Sequence, residues 1–453
     1  LFGGYSYYDN YLVPSSLREI CVTDTSFING YTFYSCAQLV SAEFLEGLTG
    51  IGNNAFSFCY KLESISFPST LTSIGDDAFR DCCHLYEVYN KSELPLSCGS
   101  IGYGMAAYYA YAVYAEGETP VRAESDGYGF LNAGDTWYLT GVPEGLTEIS
   151  FPDSFYYGGQ EVKEYEVAHY LLYWSDTPEK IFVSSSVTAV GAYAFAGCAS
   201  LVSAEFEEDS PVTQISSALF SECGALSSLT LPAGVQNIQW AAFMNCQNLR
   251  VFTVGEDVTE IEQDAFAYCY RLSAVCNESA LPITAGSSDY GRVAENAFVV
   301  YQKEDGQVQF TEVGGVEYAV WQGQWYAVGC SDDATEVRLE SFYFEGELVD
   351  DIIVKNNAFR NKYALRTVYI GEAVSQIGSG AFNQCTSLES VRFENTRIRV
   401  LEEETFYNCF SLTELVLPAN LEEIGSNAFA YCGQLSSVAF PETLQKIGYN
   451  AFN

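Results

Sequence analysis

The chain has 453 residues, 48% of them hydrophobic and 15% aromatic, which supplies a substantial core and excludes a disordered acidic tail. Its 59 Asp and Glu against 20 Lys and Arg give a formal net charge of −39, spread without runs, which argues against nucleic acid and anionic membranes as partners. No run of about 18 apolar residues occurs, so no membrane insertion of this segment is expected; with no Met at Leu1 and a motif broken off at Asn453, both ends are expected to be cuts in a longer protein carrying its signal and anchor elsewhere.

In chain order, the first recurring element is Ile-Gly-x-x-Ala-Phe-x-x-Cys, as in "IGNNAFSFC" ending at Cys59 and "IGDDAFRDC" ending at Cys82. Its Phe falls at Phe33, Phe56 and Phe79, then Phe195, Phe220, Phe243 and Phe266, then Phe359, Phe382, Phe406, Phe429 and Phe452, mostly in steps of 23, with Leu172 a degenerate member. Six residues after the Phe comes Leu-x-x-(apolar)-x-(apolar), often closed by Pro, as in Leu62-Ile65-Phe67-Pro68 and Leu412-Leu415-Leu417-Pro418. A period in the twenties with this pattern is the signature of a leucine-rich solenoid.

The alternating end of that signature predicts a strand with one face buried, starting near Leu62, Leu201, Leu226, Leu388, Leu412 and Leu435. Stacked coils pair such strands into a parallel sheet at a spacing of about 4.8 Å. A second apolar pair, Leu71 with Ile74 or Leu421 with Ile424, suits a brief strand on the opposite side of the coil. The Gly that follows is expected to permit a positive-φ turn, and the Phe to fill the coil interior, where truncation costs about 3–5 kcal/mol. The fold class is therefore mainly β: a right-handed solenoid of ~23-residue coils with a parallel sheet on its concave face and little helix.

Ten of the fifteen cysteines stand three residues after the motif Phe: Cys36, Cys59, Cys82, Cys198, Cys223, Cys246, Cys269, Cys385, Cys409 and Cys432. Side chains pointing the same way from neighbouring coils do not meet in disulfide geometry. With no Cys-x-x-Cys, and His84 and His169 far apart in the chain, these cysteines read as small buried core residues; no metal site and no cofactor is expected. Cys21, Cys83, Cys98, Cys276 and Cys330 lie outside the pattern and read as free thiols.

A longer repeat overlies the short one. Residues 89–114 align without gaps to 276–301 at an offset of 187, and "TWYLTG" (136–141) matches "QWYAVG" (324–329). The chain thus reads as one continuous solenoid over 1–453, with regular coils at 11–89, 172–276 and 359–453 and irregular sections at 90–171 and 277–358. Within the latter, Val293 to Phe298 reads as a further Ile-Gly-x-x-Ala-Phe unit, with Tyr111 in its place in the first copy. Residues 115–145 and 302–333, rich in Gly, Tyr and Trp, read as two equivalent β-hairpin excursions that project from the coils. Their sequences diverge more than the coils, so they are candidates for a pair of spaced contact sites that the fold could lose. The Tyr-rich run Tyr103 to Tyr114 fits strand burial and, alternatively, a sugar-stacking surface, while Asn90-Lys-Ser and Asn277-Glu-Ser read as turn-forming Asn rather than glycosylation acceptors.

The 23-residue unit Leu-x-x-Ile-x-Ile-Pro…Val-x-x-Ile-Gly-x-x-Ala-Phe-x-x-Cys resembles the BspA-like leucine-rich repeat of bacterial surface proteins, over nearly the whole chain outside the excursions. The stretch "NESALPITAGSSDYGRVAENAF" (277–298) also resembles the spacer of long members from anaerobic commensal bacteria. The resemblance implies an extracellular, cell-attached or secreted protein with adhesive or host-binding roles, and brings no catalytic residues to carry over.

No nucleophile elbow, metal cluster or phosphate loop points to an enzyme. The expected function is a surface-exposed scaffold for protein or glycan at the host or cell surface, with a passive stalk as the alternative, and the expected state is a monomer. Ligands of solenoids lie along the sheet face. Its outward strand positions are Ser64, Ser66, Glu87, Tyr89, Ser203, Glu205, Ser228, Thr230, Thr367, Tyr369, Ser390 and Arg392, mostly small and polar with no basic or aromatic stripe.

Overall fold

The computed structural model describes residue 14, residues 16–394 and residues 397–453, so the start of the coil section expected at 11–89 lies outside the described residues. The chain divides into two compact units, Leu1–Cys198 with Phe206–Val212, and Ala199–Glu205 with Thr213–Asn453. Nearly all regular structure is strand; the helical pieces among the described residues are short 3-10 turns such as Tyr103–Met105 and Tyr290–Arg292.

In the first unit the strands Glu19–Val22, Ser41–Phe44, Ser64–Phe67, Glu87–Asn90 and Ala112–Tyr114 form one parallel sheet in that order. The register pairs each residue with its repeat counterpart, Ser41 with Ser64 and Ser64 with Glu87. Inward positions such as Ala42, Phe44, Ile65, Phe67 and Val88 are buried. The brief strands Phe27–Ile28, Gly50–Ile51 and Ser73–Ile74 pair in parallel on the other side of the coil. Between the two sheets run the motif phenylalanines, stacked at centroid distances of 5.0 Å (Phe33 on Phe56) and 5.1 Å (Phe56 on Phe79). The second unit repeats the plan: Glu336–Leu339, Thr367–Ile370, Ser390–Phe393 and Glu414–Val416 pair in parallel, and Phe359, Phe382, Phe406, Phe429 and Phe452 stack at 5.0–5.3 Å. Leu172 does take the Phe position, since its N–H donates to Ala194 O at 2.7 Å as Phe56 N–H does to Ala78 O.

The expected strand starts are found near Leu62, Leu201, Leu226, Leu388 and Leu412, but no strand starts near Leu435, the next being the brief Lys446–Ile447 of the other sheet. That coil is the last described; nothing pairs with its outer edge, and Phe440 is left half-exposed.

The motif glycine does something other than expected. Gly52, Gly75, Gly191, Gly378, Gly425 and Gly448 are absent from the positive-φ positions. A Cβ on Gly425 would instead lie 2.6 Å from Glu403 N, and one on Gly448 2.5 Å from Ser426 N, both backbone atoms of the preceding coil. Glycine is required because adjacent coils touch there. The positive-φ turns fall on two other positions: the residue before Ala-Phe (Asn54, Asp77, Asp264, Asn427) and the residue before Cys (Phe58, Asp81, Tyr268, Tyr431). At the first of these, Asn and Asp tolerate the left-handed region better than most side chains.

The motif cysteines form a second ladder. Cys59 Sγ donates to Phe33 O at 3.2 Å, Cys82 to Phe56 O at 3.1 Å, Cys246 to Phe220 O at 3.1 Å and Cys385 to Phe359 O at 3.1 Å. Each thiol thus reaches the motif Phe carbonyl of the preceding coil. Nine of the ten are buried, Cys432 less so, and no disulfide forms among the described residues. Burial pushes the thiols of Cys198 and Cys269 up to about 12.

Two further expectations are corrected. Phe298 is not a ladder residue: Phe266 N–H donates to Gly291 O, so Gly291-Arg292 takes the Ala-Phe place, as Gly104-Met105 does after Phe79. Phe298 leads into the strand Val299–Tyr301 instead. Nor do the excursions project. Each is an antiparallel three-stranded meander, Val121–Ser125, Tyr128–Ala133 and Thr136–Gly141 in the first unit, Gln309–Val313, Val316–Trp321 and Gln324–Cys330 in the second. Its last strand pairs in parallel with the next coil, Tyr165–Val167 or Ile352–Val354. Its apolar side folds back onto the strand face: Tyr326 stacks on Phe298 at 4.0 Å, and Val328, Ala319 and Val308 are buried with Ala274, Cys276 and Tyr301. The strand Ala274–Asn277 is buried on both faces in consequence.

Candidate functional site

The sheet face comes first, because the repeat aims twelve side chains along it. Ser64 and Ser66 are partly open, while Glu205, Ser228 and Thr230 are exposed; Ser203 pairs with Ser228, and Glu205 with Thr230, across one strand step. Glu87 is different: it is buried, ion-paired with Arg122 of the first meander, and Arg122 also donates to Tyr89 Oη at 3.1 Å. The meander therefore closes that end of the face.

In the second unit the sheet of Glu336–Leu339, Thr367–Ile370, Ser390–Phe393 and Glu414–Val416 also departs from a row of small polar groups. Thr367 and Ser390 stand in register, Ser390 is buried and donates to Glu414 Oε2 at 3.2 Å, and Arg392 pairs with the same carboxylate at 3.3 Å. Arg338, Tyr369 and Arg392 form the adjacent row, with the Arg338 guanidinium 3.9 Å from the Tyr369 ring centroid and that of Arg392 at 5.9 Å. This is a short basic and aromatic stripe where none was expected. Three carboxylates, Glu336, Glu340 and Glu414, lie within ion-pair distance of its two arginines, so it carries little free charge.

A concavity lies in the first unit, where the meander and the coil after it meet the flank of the earlier coils. Here the two histidines come together. His84 Nδ1 lies 2.5 Å from Tyr60 O and its Nε2 3.4 Å from Leu171 O; His169 Nε2 lies 2.8 Å from Tyr109 O. Tyr86 Oη donates to His169 O at 2.8 Å, and Tyr111 stacks on both His169 (4.6 Å) and Tyr138 (3.9 Å). The Tyr-rich run is thus largely packing at this junction. Burial holds both imidazoles below their ordinary range, His169 at about 4, so both are neutral at pH 7.

Beside His84 opens a groove of about 770 Å³. Tyr60, Tyr173 and Trp174 supply its aromatic lining, and Arg18, Lys61, Glu63, Glu144 and Asp176 its charged rim. Trp174 is 59% exposed. Its backbone takes a left-handed φ of 55°, fixed by a 2.8 Å bond from its N–H to Ala196 O. Its indole lies across Gly197, where a Cβ would come within 2.6 Å of Cδ2. The ring is thereby laid down on the next coil rather than free.

The BspA type leucine rich repeat model matches in six copies over residues 8–105, 166–283 and 352–453, more than half of the chain. The chain belongs to the BspA type leucine rich repeat family. The two internal unmatched stretches, 106–165 and 284–351, contain the meanders, where the 23-residue rule is broken. No curated protein matches this BspA type chain. Among solved structures it is similar to a leucine rich cell surface protein from Faecalibacterium prausnitzii, at 20% identity over 73% of this chain and 95% of that one, with a TM-score of 0.32. A leucine-rich repeat protein from Bacteroides ovatus matches at 21% identity over 74% and 90%, TM-score 0.30. The pneumococcal vaccine antigen PcpA matches at 15% identity over 72% and 93%, TM-score 0.28.

Sequence reasoning placed the site on the strand face and missed the groove. The signal available was the degenerate coil itself: at Leu172 the usual Phe is lost, and Tyr173-Trp174 precedes a Ser where ten of the other coils have Cys. No helix among the described residues is long and apolar enough to cross a membrane.

Proposed function

We propose that this chain is a non-enzymatic, surface-exposed repeat scaffold that holds a protein or glycan ligand outside a bacterial cell. The groove of the first unit carries this reading: it is open, lined by aromatic and charged side chains, and has a size within the ~300–1,000 Å³ range of small-molecule sites. Open strand positions offer further contact surface within each unit, Ser64 and Ser66 in the first and Ser203, Glu205, Ser228, Thr230 and Thr367 in the second. Both histidines face backbone carbonyls through their ring nitrogens, which supports a structural rather than an acid–base role. The test is a binding screen of the whole chain against immobilised matrix proteins and a glycan array. Saturable binding to a member of either panel supports the scaffold; a clean negative across both favours a passive stalk.

A further inference from the structure

We infer that the groove beside His84 binds an uncharged oligosaccharide, one sugar ring seated on the Trp174 indole; this rests on the scaffold reading above and names its ligand class. A pyranose presents an apolar C–H face ringed by hydroxyl groups. Its complement is a flat, partly exposed aromatic ring with hydrogen-bonding groups of both kinds around it. Trp174 meets the first requirement, being spread over Gly197 and 59% exposed. Tyr173 stands edge-on to it at 6.2 Å, and Tyr60 lies 6.4 Å from Tyr173, so the aromatic surface continues along the groove. Lys61 supplies donors, and Glu144 and Asp176 acceptors, for the hydroxyls.

Charge narrows the class. With a net charge of −39 the chain repels sialylated and sulfated glycans at long range, and the rim mixes both signs rather than concentrating cations. An uncharged sugar is the ligand that this field does not oppose.

The second copy of the long repeat shows what the same place looks like when it is not kept open. At an offset of 187, Tyr60, His84, Tyr173 and Trp174 become Gln247, Arg271, Arg360 and Asn361. There Glu317 of the second meander pairs with Arg271 and, at 2.8 Å, with Arg250, while Arg360 lies over the Tyr270 ring at 4.5 Å. The ion pairs of Glu317 occupy that place, while Arg360 Nε and Asn361 Oδ1 are buried without a hydrogen-bond partner. In the first meander the residue matching Glu317 is Gly129, which faces Gly141 across the strands as Glu317 faces Gly329, and Gly141 lines the groove. One site per chain is expected.

The experiment is calorimetry with saturation-transfer NMR on the whole chain, using cellotetraose, mannotetraose, N-acetyllactosamine and sialyllactose as probes, alongside the matrix-protein panel. Expected are one site for an uncharged sugar, a loss of at least about tenfold in affinity in Trp174→Ala, equivalent to the roughly 1.4 kcal/mol of a lost stacking contact, and no change in Tyr343→Ala, an exposed aromatic of the second unit. Circular dichroism melts of both variants should match the parent. Preference for sialyllactose, or sugar binding that survives Trp174→Ala, overturns the inference. Matrix-protein binding without any sugar binding overturns it while leaving the scaffold reading intact; no binding to either panel ends both.

Discussion

Replacing the motif glycine Gly425 by Ala tests the packing account most directly, because two arguments predict opposite signs. Gly425 is absent from the positive-φ positions, so on backbone grounds alone Ala should stabilise by about 0.4–1 kcal/mol through the unfolded chain. The coil contact says otherwise. The new Cβ would sit 2.6 Å from Glu403 N, 2.7 Å from Glu402 C and 3.0 Å from Glu402 O, all backbone. Reaching ordinary contact needs a retreat of about 0.8 Å between two coils. That retreat works against the 2.7 Å bond from Gly425 N–H to Leu401 O and the 5.3 Å stack of Phe406 on Phe429. Overpacking of this kind costs about 1–3 kcal/mol, and a weakened backbone bond about 1 more. The expected loss is therefore about 2–4 kcal/mol, read as a lowered urea midpoint by far-ultraviolet circular dichroism. Gly255→Ala, in the same unit, has nothing within 4 Å of its new Cβ and no positive φ, and should be neutral or slightly stabilising. If Gly425→Ala behaves like Gly255→Ala, the close-approach explanation of the motif is wrong.

The thiol ladder predicts that an aromatic disulfide reagent at pH 8 modifies only the exposed Cys21 and Cys98 quickly in native protein, and all fifteen cysteines in denaturant; rapid native reaction of Cys246 or Cys385 would refute it. His169 is buried neutral with its pKa held at about 4, so the stability it contributes is complete above the unfolded value near 6.5 and is lost as pH falls toward 4, by up to about 3 kcal/mol. His169→Asn, which installs the residue that the second copy has at Asn356, should flatten that part of the stability profile while the carboxylate background stays; an unchanged slope refutes the assignment. Deleting 302–333 removes the strand paired with Ile352–Val354 and uncovers Ala274, Cys276 and Tyr301, so it should lower the melting temperature and raise hydrophobic-dye binding, whereas a deletion variant as stable as the parent would restore the view of a dispensable loop.

The coil was legible because each of its determinants is local and repeated. A Phe every 23 residues, an alternating Leu-x-x-Leu-x-Leu and a Cys three places after the Phe can be counted, and the register Ser41–Ser64–Glu87 follows from the count. The Asn-x-Ser turns were legible for the same reason: Asn90 Nδ2 donates to Leu94 O and Asn277 Nδ2 to Leu281 O, both at 2.8 Å, with a Ser bonded to each Oδ1. The role of the glycine was not, because sequence shows that a side chain is excluded without showing whether φ or a neighbour excludes it. The groove was hidden for a related reason. His84 and His169, or Tyr60 and Trp174, meet only after the chain has broken its rhythm between 90 and 171, and no period links their positions.

The divergence of the two excursions was the feature most open to misreading. Loops released from packing vary freely, and variation by itself invites that explanation. Here the varying residues are packed, and they vary together with what they touch. Tyr138 of the first meander stacks on Tyr111 where Tyr326 of the second stacks on Phe298, and these pairs occupy corresponding places in the two copies. Arg122 reaches from the first meander to Glu87, whereas in the second copy the carboxylate is on the meander, at Glu317, and the guanidinium on the coil, at Arg271. Each pair is replaced on both of its sides in the other copy, Glu87 and Arg122 by Ala274 and Phe310, and Arg271 and Glu317 by His84 and Gly129, whereas loss of one half alone would leave a partly buried charge unpaired, which costs several kcal/mol. Each meander is therefore fitted to the coils it covers. The gap left in the first fitting, at Gly129 and Gly141, is where the groove lies open.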